Sequence, residues 1–134
     1  MIAVVDTSAA VRVAMQAEES AQWARTIASA DLVRAPQLLI AEAANAFWKY
    51  FRAGILSRAS AERGLRSAVG LVQEFAPLEP LYAEVFELAV LTQGPAYDLF
   101  YVVLARRNGA VLVTADEALR ERARRLGIRT DDAD

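Results

Sequence analysis

The sequence predicts an α/β fold of three layers, with a short central parallel sheet of four to five strands flanked by about seven helices. Three observations predict it. Short, mostly apolar runs occur at residues 2–5, 32–34 and 110–114, each bounded by polar or turn-forming residues. The stretches between them carry apolar residues at helical spacing. Strands that are nearly continuous in apolar residues and separated by helices imply βα units and a sheet covered on both faces.

Ile2–Val5 is the first buried strand, and Asp6-Thr7-Ser8 reads as a helix start. Helices are expected over Ser8–Gln16 and Glu18–Ala30, and Leu32–Arg34 is the second strand. Pro36 suits the first turn of a long helix, where no backbone N–H is needed. That helix reaches Ala53 and is stopped by Gly54. Ser57 or Ser60 opens the next, which runs to Glu74, and Phe75–Leu78 is a candidate third strand. Pro80 opens a helix lasting to the breaker Gln93-Gly94-Pro95. Another covers Tyr97–Arg107, ended by Asn108-Gly109. Ala110–Thr114 is a strand, Ala115–Leu126 the last helix, and Ile128–Thr130 a candidate edge strand. Residues 1–130 are expected to form a single domain and 131–134 a solvated C-terminal tail.

The 134 residues are 55% hydrophobic and 24% charged, which suits one globular core. No apolar run approaches the roughly 20 residues that span a bilayer, and the start of the chain lacks a signal-peptide pattern. The expected location is cytoplasmic, with no membrane partner. The lack of cysteine agrees with it. Histidine is also absent. That excludes Ser-His-Asp and Cys-His nucleophilic sites and a structural zinc site within this chain. Any acid–base or metal chemistry must rest mainly on carboxylates, whose oxygens suit magnesium and manganese. The formal net charge of −2 argues against strong nonspecific nucleic-acid binding but allows a local basic patch. Of the 15 basic residues only Lys49 is lysine. Arginine's fork suits phosphate, although genomic base composition explains the bias more simply.

Ligands in open α/β sheets bind beyond the carboxyl ends of the strands. Asp6 directly follows the first strand, and Asp116 closely follows Ala110–Thr114. Helix capping accounts for both equally well, and Thr114-Ala115-Asp116-Glu117 has the form of a capping box with Thr114 as cap. Glu42 lies four residues after Leu38 and four before Ala46, near the apolar face of its helix. A carboxylate there needs an arginine, a hydrogen-bond network or a metal. Asn45, one turn on, could share its site. Asp98 shares a helical face with Tyr101, Val102 and Ala105, and it sits in a first turn, where the helix dipole alone favours an anion. Gathered together, four carboxylates raise one another's proton affinity, and a divalent cation reverses that. Two ions about 4 Å apart would clamp a phosphodiester and activate water without any histidine.

The motifs Val4-Val5-Asp6-Thr7-Ser8, Glu42-Ala43-Ala44-Asn45, Tyr97-Asp98 and Leu112-Val113-Thr114-Ala115-Asp116, with a closing helix and Gly127-Ile128, run in order over nearly the whole chain. Together they resemble PIN domains and, more narrowly, the VapC toxins of type II VapBC toxin–antitoxin pairs. The resemblance implies an Mg2+- or Mn2+-dependent endoribonuclease acting on RNA, often a homodimer, inhibited by a cognate VapB-like antitoxin whose tail fills the groove beside the active site. Carried over residue by residue, Asp6, Glu42, Asp98 and Asp116 match the catalytic and metal-binding acids. Thr114 matches the hydroxyl residue that positions the last acid, and Ser8 and Asn45 match supporting polar positions. Leu99 departs from the pattern, since a small residue is common after the third acid.

A catalytically silent PIN-like binding module is the alternative. A phosphoryl-acceptor receiver-type domain would need an acidic pair after the first strand and a late strand-end lysine. Here Thr7-Ser8 follows Asp6, and Lys49 lies in a helix. A haloacid-dehalogenase-type phosphatase would need an aspartate where Ser8 stands. The basic segment Arg120, Arg122, Arg124, Arg125 and Arg129 could guide an RNA backbone, but a solvated helix face is the plainer account. Trp48, Tyr50 and Phe51 could stack bases, or pack the core and form a dimer or antitoxin surface.

Overall fold

The computed structural model describes residues 1–131. Strands β1 (Ile2–Val5), β2 (Leu32–Pro36), β3 (Glu74–Ala76) and β4 (Val111–Val113) form a wholly parallel sheet in the order β3-β2-β1-β4. The helices among the described residues are α1 (Thr7–Ala14), α2 (Ala21–Ser29), α3 (Leu38–Arg52), α4 (Arg58–Gly70), α5 (Tyr82–Thr92), α6 (Ala96–Asn108) and α7 (Glu117–Arg125). The α/β class and the parallel sheet are as the sequence predicts.

The central strand β1 contributes Ala3, Val4 and Val5, all fully buried. Its partner β4 is in register with it, Val4 opposite Leu112 and Val5 opposite Val113. Both strands therefore end at the same level, and the Asp6 N–H donates to the Val113 carbonyl at 3.0 Å. Helix α6 buries Leu99, Tyr101, Val102, Val103, Leu104 and Ala105, so it packs as an interior helix against the sheet. Leu99, the departure from the resembled pattern, is fully buried core. Helices α3 and α4 approach closely at Gly64, where a Cβ would run into the Phe47 ring. Any side chain at 64 would displace the buried Phe47 ring, one of the largest core groups.

Several boundaries differ from the sequence reading. Pro36 ends β2 opposite Ala76 instead of opening α3. The third strand runs Glu74–Ala76, not Phe75–Leu78, because it forms its ladder with β2 from Arg34 opposite Glu74 to Pro36 opposite Ala76, with an Arg34–Glu74 ion pair at 2.9 Å beside the first rung. The expected helix over Glu18–Ala30 starts as a 3-10 turn, Glu18–Ser20, before α2. The expected edge strand Ile128–Thr130 is reduced to one parallel bridge, Thr130 to Leu112. Asp131 is buried, not solvated. Its N–H donates to the Leu112 carbonyl at 3.0 Å, and its Oδ1 accepts from Gln22 Nε2 at 3.0 Å. The rest of the expected tail, 132–134, lies outside the described residues. Among the described residues, no single helix is long and apolar enough to cross a membrane.

Candidate active site

Asp6 leaves the end of β1 and caps α1. Its Oδ1 accepts from the Ala9 N–H at 3.0 Å and from the Ser8 hydroxyl at 2.7 Å, and its Oδ2 accepts from the Thr114 hydroxyl at 2.6 Å. The residue is 5% exposed. Burial pushes its carboxyl up to about 6, against the pull of those three hydrogen bonds and with a further push from the Asp98 charge.

Thr114 is fully buried behind the site. Besides donating to Asp6, its hydroxyl accepts from the Asp116 N–H at 3.0 Å. It is not the cap of the last helix, as the capping-box reading had it. Helix α7 begins at Glu117, and its cap is Asp116, whose Oδ1 accepts from Ala118 N at 2.9 Å and Leu119 N at 3.2 Å. The helix starts two residues later than expected, which frees Thr114 to join the ends of β1 and β4. Ser8 adds a second link, its Oγ accepting from Ala115 N at 3.0 Å. Capping and a site role do not compete here. The caps fix the orientation of two acids at the strand ends.

Glu42, on α3, is held by hydroxyls. Its Oε1 accepts from Tyr101 at 2.6 Å and from Thr7 at 2.8 Å. The two hydroxyl oxygens lie 2.8 Å apart. Tyr101 is 1% exposed, and burial followed by its bond to Glu42 holds the phenol far above its ordinary range, so it remains a donor. Asp98 sits half-buried in the first turn of α6. Burial raises its proton affinity most, then the charges of Asp116 and Glu42, with Arg122 opposing.

These elements enclose a cleft of about 490 Å³ lined by Asp6, Ser8, Glu42, Asn45, Asp98 and Asp116, together with Thr7, Lys49, Tyr50 and Tyr101. Of the expected site residues only Thr114 is absent from the lining, since it supports Asp6 from beneath. Sequence reading missed Thr7 and Tyr101. Tyr101 follows Asp98 by three residues on the same helical face, and a buried tyrosine hydroxyl usually needs a partner. Its apolar neighbours Val102 and Ala105 on that face mask the signal.

Among the described residues no three acidic side chains stand close enough together to hold an ion as they are. The donor set nevertheless fits a hard divalent cation. Four carboxylates face one cleft, and Asp116 and Glu42 raise the proton affinity of Asp98 across it. That like-charge tension is what a cation relieves.

Residues 3–125 match the PIN domain family profile. The chain is 35% identical to "Ribonuclease VapC3" of Pyrobaculum aerophilum over 124 residues, covering 89% of this chain and 92% of that one. It is 40% identical to "Exonuclease VapC9" of the same organism over 83 residues, 61% and 60% of the two chains. The crystal structure of PAE2754 from Pyrobaculum aerophilum superposes with a TM-score of 0.74 at 29% identity, covering 97% of this chain and 92% of that one. That of VapBC2 from Rickettsia felis, bound to a DNA fragment from their promoter, superposes with a TM-score of 0.71 at 15% identity over 100% of both, a likeness of fold. With a family match spanning nearly the whole sequence and a strand order that brings residues 6, 42, 98 and 116 to one cleft, the chain belongs to the PIN-domain family.

Proposed function

We propose that this protein is a divalent-metal-dependent endoribonuclease and the toxin of a VapBC-type pair. One observation carries the proposal: Asp6, Glu42, Asp98 and Asp116, delivered by β1, α3, α6 and the turn after β4, line a single cleft. The relatives' names, ribonuclease and exonuclease, support nuclease chemistry.

In this reading the four acids hold Mg2+ or Mn2+, which when bound lowers the pKa of a water and offsets charge on the phosphoryl oxygens. The chain's own residues prepare the site. Asp6, with its carboxyl at about 6, is ionised at neutral pH and cannot rotate away, because Thr114, Ser8 and the Ala9 amide hold both its oxygens. Tyr101 and Thr7 anchor one oxygen of Glu42, Oε1. Ser8 supports Asp6 from α1, and Asn45 supplies a neutral polar group at the rim of the cleft.

An antitoxin partner is supported by the VapC names and by the VapBC2 complex. Self-association is supported by α5, where Tyr82, Phe86 and Val90, spaced four residues apart on one face, are all more than 60% exposed, an apolar stripe of the kind that interfaces use. The reading places the protein in the cytoplasm with its RNA.

Incubating the protein with single-stranded RNA and with DNA of the same sequence, each with Mg2+ or Mn2+, tests the proposal. Internal RNA fragments are expected, lost with Asp98→Asn. Stepwise trimming from one end would replace endonuclease by exonuclease. RNA bound but left intact would favour the silent binding module.

A further inference from the structure

Lys49 is the one lysine of the sequence and, among the described residues lining the acidic cleft, the one cation. It lies on α3 seven residues after Glu42, with Asn45 between them on the same side of the helix. At 1.5 Å per residue, Lys49 stands roughly 10 Å from Glu42 along the helix axis. The side chain is exposed, and beside it Tyr50 packs edge-on against Phe47 with ring centroids 6.0 Å apart.

A lysine serving to neutralise the acids would form an ion pair with one of them. Among the described residues Lys49 makes none. Its position instead suits an anion that arrives from outside. RNA entering this cleft brings phosphates towards four carboxylates. The phosphate being cut is accommodated at the acids. Those on either side meet bare negative charge unless something offsets it. Roughly 10 Å corresponds to about three nucleotides of a stacked strand, at about 3.4 Å of rise for each phosphate. An ammonium on a flexible stem makes a point-charge contact that ignores base identity.

We infer that Lys49 receives a backbone phosphate of the substrate strand a few nucleotides from the scissile bond, and so governs RNA affinity more than the rate of the chemical step. The inference rests on the nuclease reading above and is tested so that the two can fail separately.

The experiment measures binding of a fluorescein-labelled, mixed-sequence single-stranded oligoribonucleotide to Asp98→Asn protein in Mg2+, over a potassium chloride series. Lys49→Gln in that background is expected to flatten the slope of log K against log salt by about 0.7, the loss of one single-strand phosphate contact. Lys49→Arg is expected to restore it. In the cleavage-competent protein, Lys49→Gln is expected to raise KM several-fold while kcat falls by less. An unchanged salt slope overturns the inference, as does a loss confined to kcat. So does a Lys49→Gln variant that loses only the binding of an acidic peptide, which would make the residue a protein contact. Wild-type protein that does not cut the same oligonucleotide defeats the nuclease reading instead, and the salt slope still decides whether Lys49 binds RNA. The variants' melting curves confirm folding, which an exposed position should leave intact.

Discussion

The Tyr101 hydroxyl donates a 2.6 Å hydrogen bond to Glu42 Oε1, joining the interior helix α6 to the acid on α3. Phenylalanine fills the same space without that donor. Tyr101→Phe is therefore expected to lower stability by about 1–2 kcal/mol, since a bond to a carboxylate is worth more than a neutral one. Thr7 donates to the same oxygen, so Thr7→Val and Tyr101→Phe should not add. Urea unfolding of the two single variants and the double gives the coupling. Strict additivity would show that the two hydroxyls act independently.

Divalent cations should stabilise the fold, because a ligand that binds only the native state shifts unfolding by mass action, about 2.7 kcal/mol at a hundredfold excess over Kd. Asp98→Asn should lose most of this response, since Asp98 feels the charges of both Asp116 and Glu42. Melting curves with and without Mn2+ are the measurement. Equal shifts in wild type and variant would detach Asp98 from the metal.

Asp6 supplies a pH dependence of definite sign. Its carboxyl is raised from 3.8 to about 6 in the folded state. Between these values the native protein holds a proton that the unfolded chain has released. Metal-free stability therefore falls as pH rises from 3.8 to about 6, by about 3 kcal/mol for this group, and is level above. Asp6→Asn should match wild type at the acid end and exceed it at pH 7 in chelator. Denaturation midpoints that track each other across this range would contradict the burial of an ionisable Asp6.

The structure of the strand ends and of the acidic cleft was largely visible in the sequence, because the acids occupy positions that local rules identify. Asp6 and Asp116 follow apolar runs, and Glu42 and Asp98 interrupt or border apolar helical faces. What was missed depends on partners far away in the chain. The bounds of β3 follow from its ladder with β2, a segment about forty residues earlier, where Arg34 stands opposite Glu74. Asp131 is drawn inward by Leu112 and Gln22. Thr114 looked like a cap because a hydroxyl three residues before a glutamate is a common helix start, whereas its bond is to an aspartate 108 residues earlier. Local pattern carries no information about such pairs.

Arg122 was read as part of a solvated face, yet it ties α7 to the segment before α6. Its Nη2 donates to Thr92 Oγ1 at 3.0 Å and its Nη1 to the Pro95 carbonyl at 3.3 Å. The guanidinium lies over Gly94, where a Cβ would stand 2.5 Å from Nη2. Gly94→Ala should push the fork aside and cost about 1 kcal/mol. In an Arg122→Ala background the same change should become neutral or stabilising by about 0.5 kcal/mol, as the alanine then only restricts the unfolded chain. Chemical denaturation of the four proteins reads the change of sign.

The Thr114–Asp6 bond joins the first strand to the last, with every other strand and six of the helices encoded between them. During translation at about 5–20 residues per second, Asp6 leaves the ribosome on the order of ten seconds before Asp116. In that interval the nascent polypeptide has no closed acidic cleft, whatever helices have already formed. A chain that stalls anywhere upstream of Thr114 therefore lacks both that bond and Asp116, and any chemistry that needs the four acids together waits until Asp116 has been made.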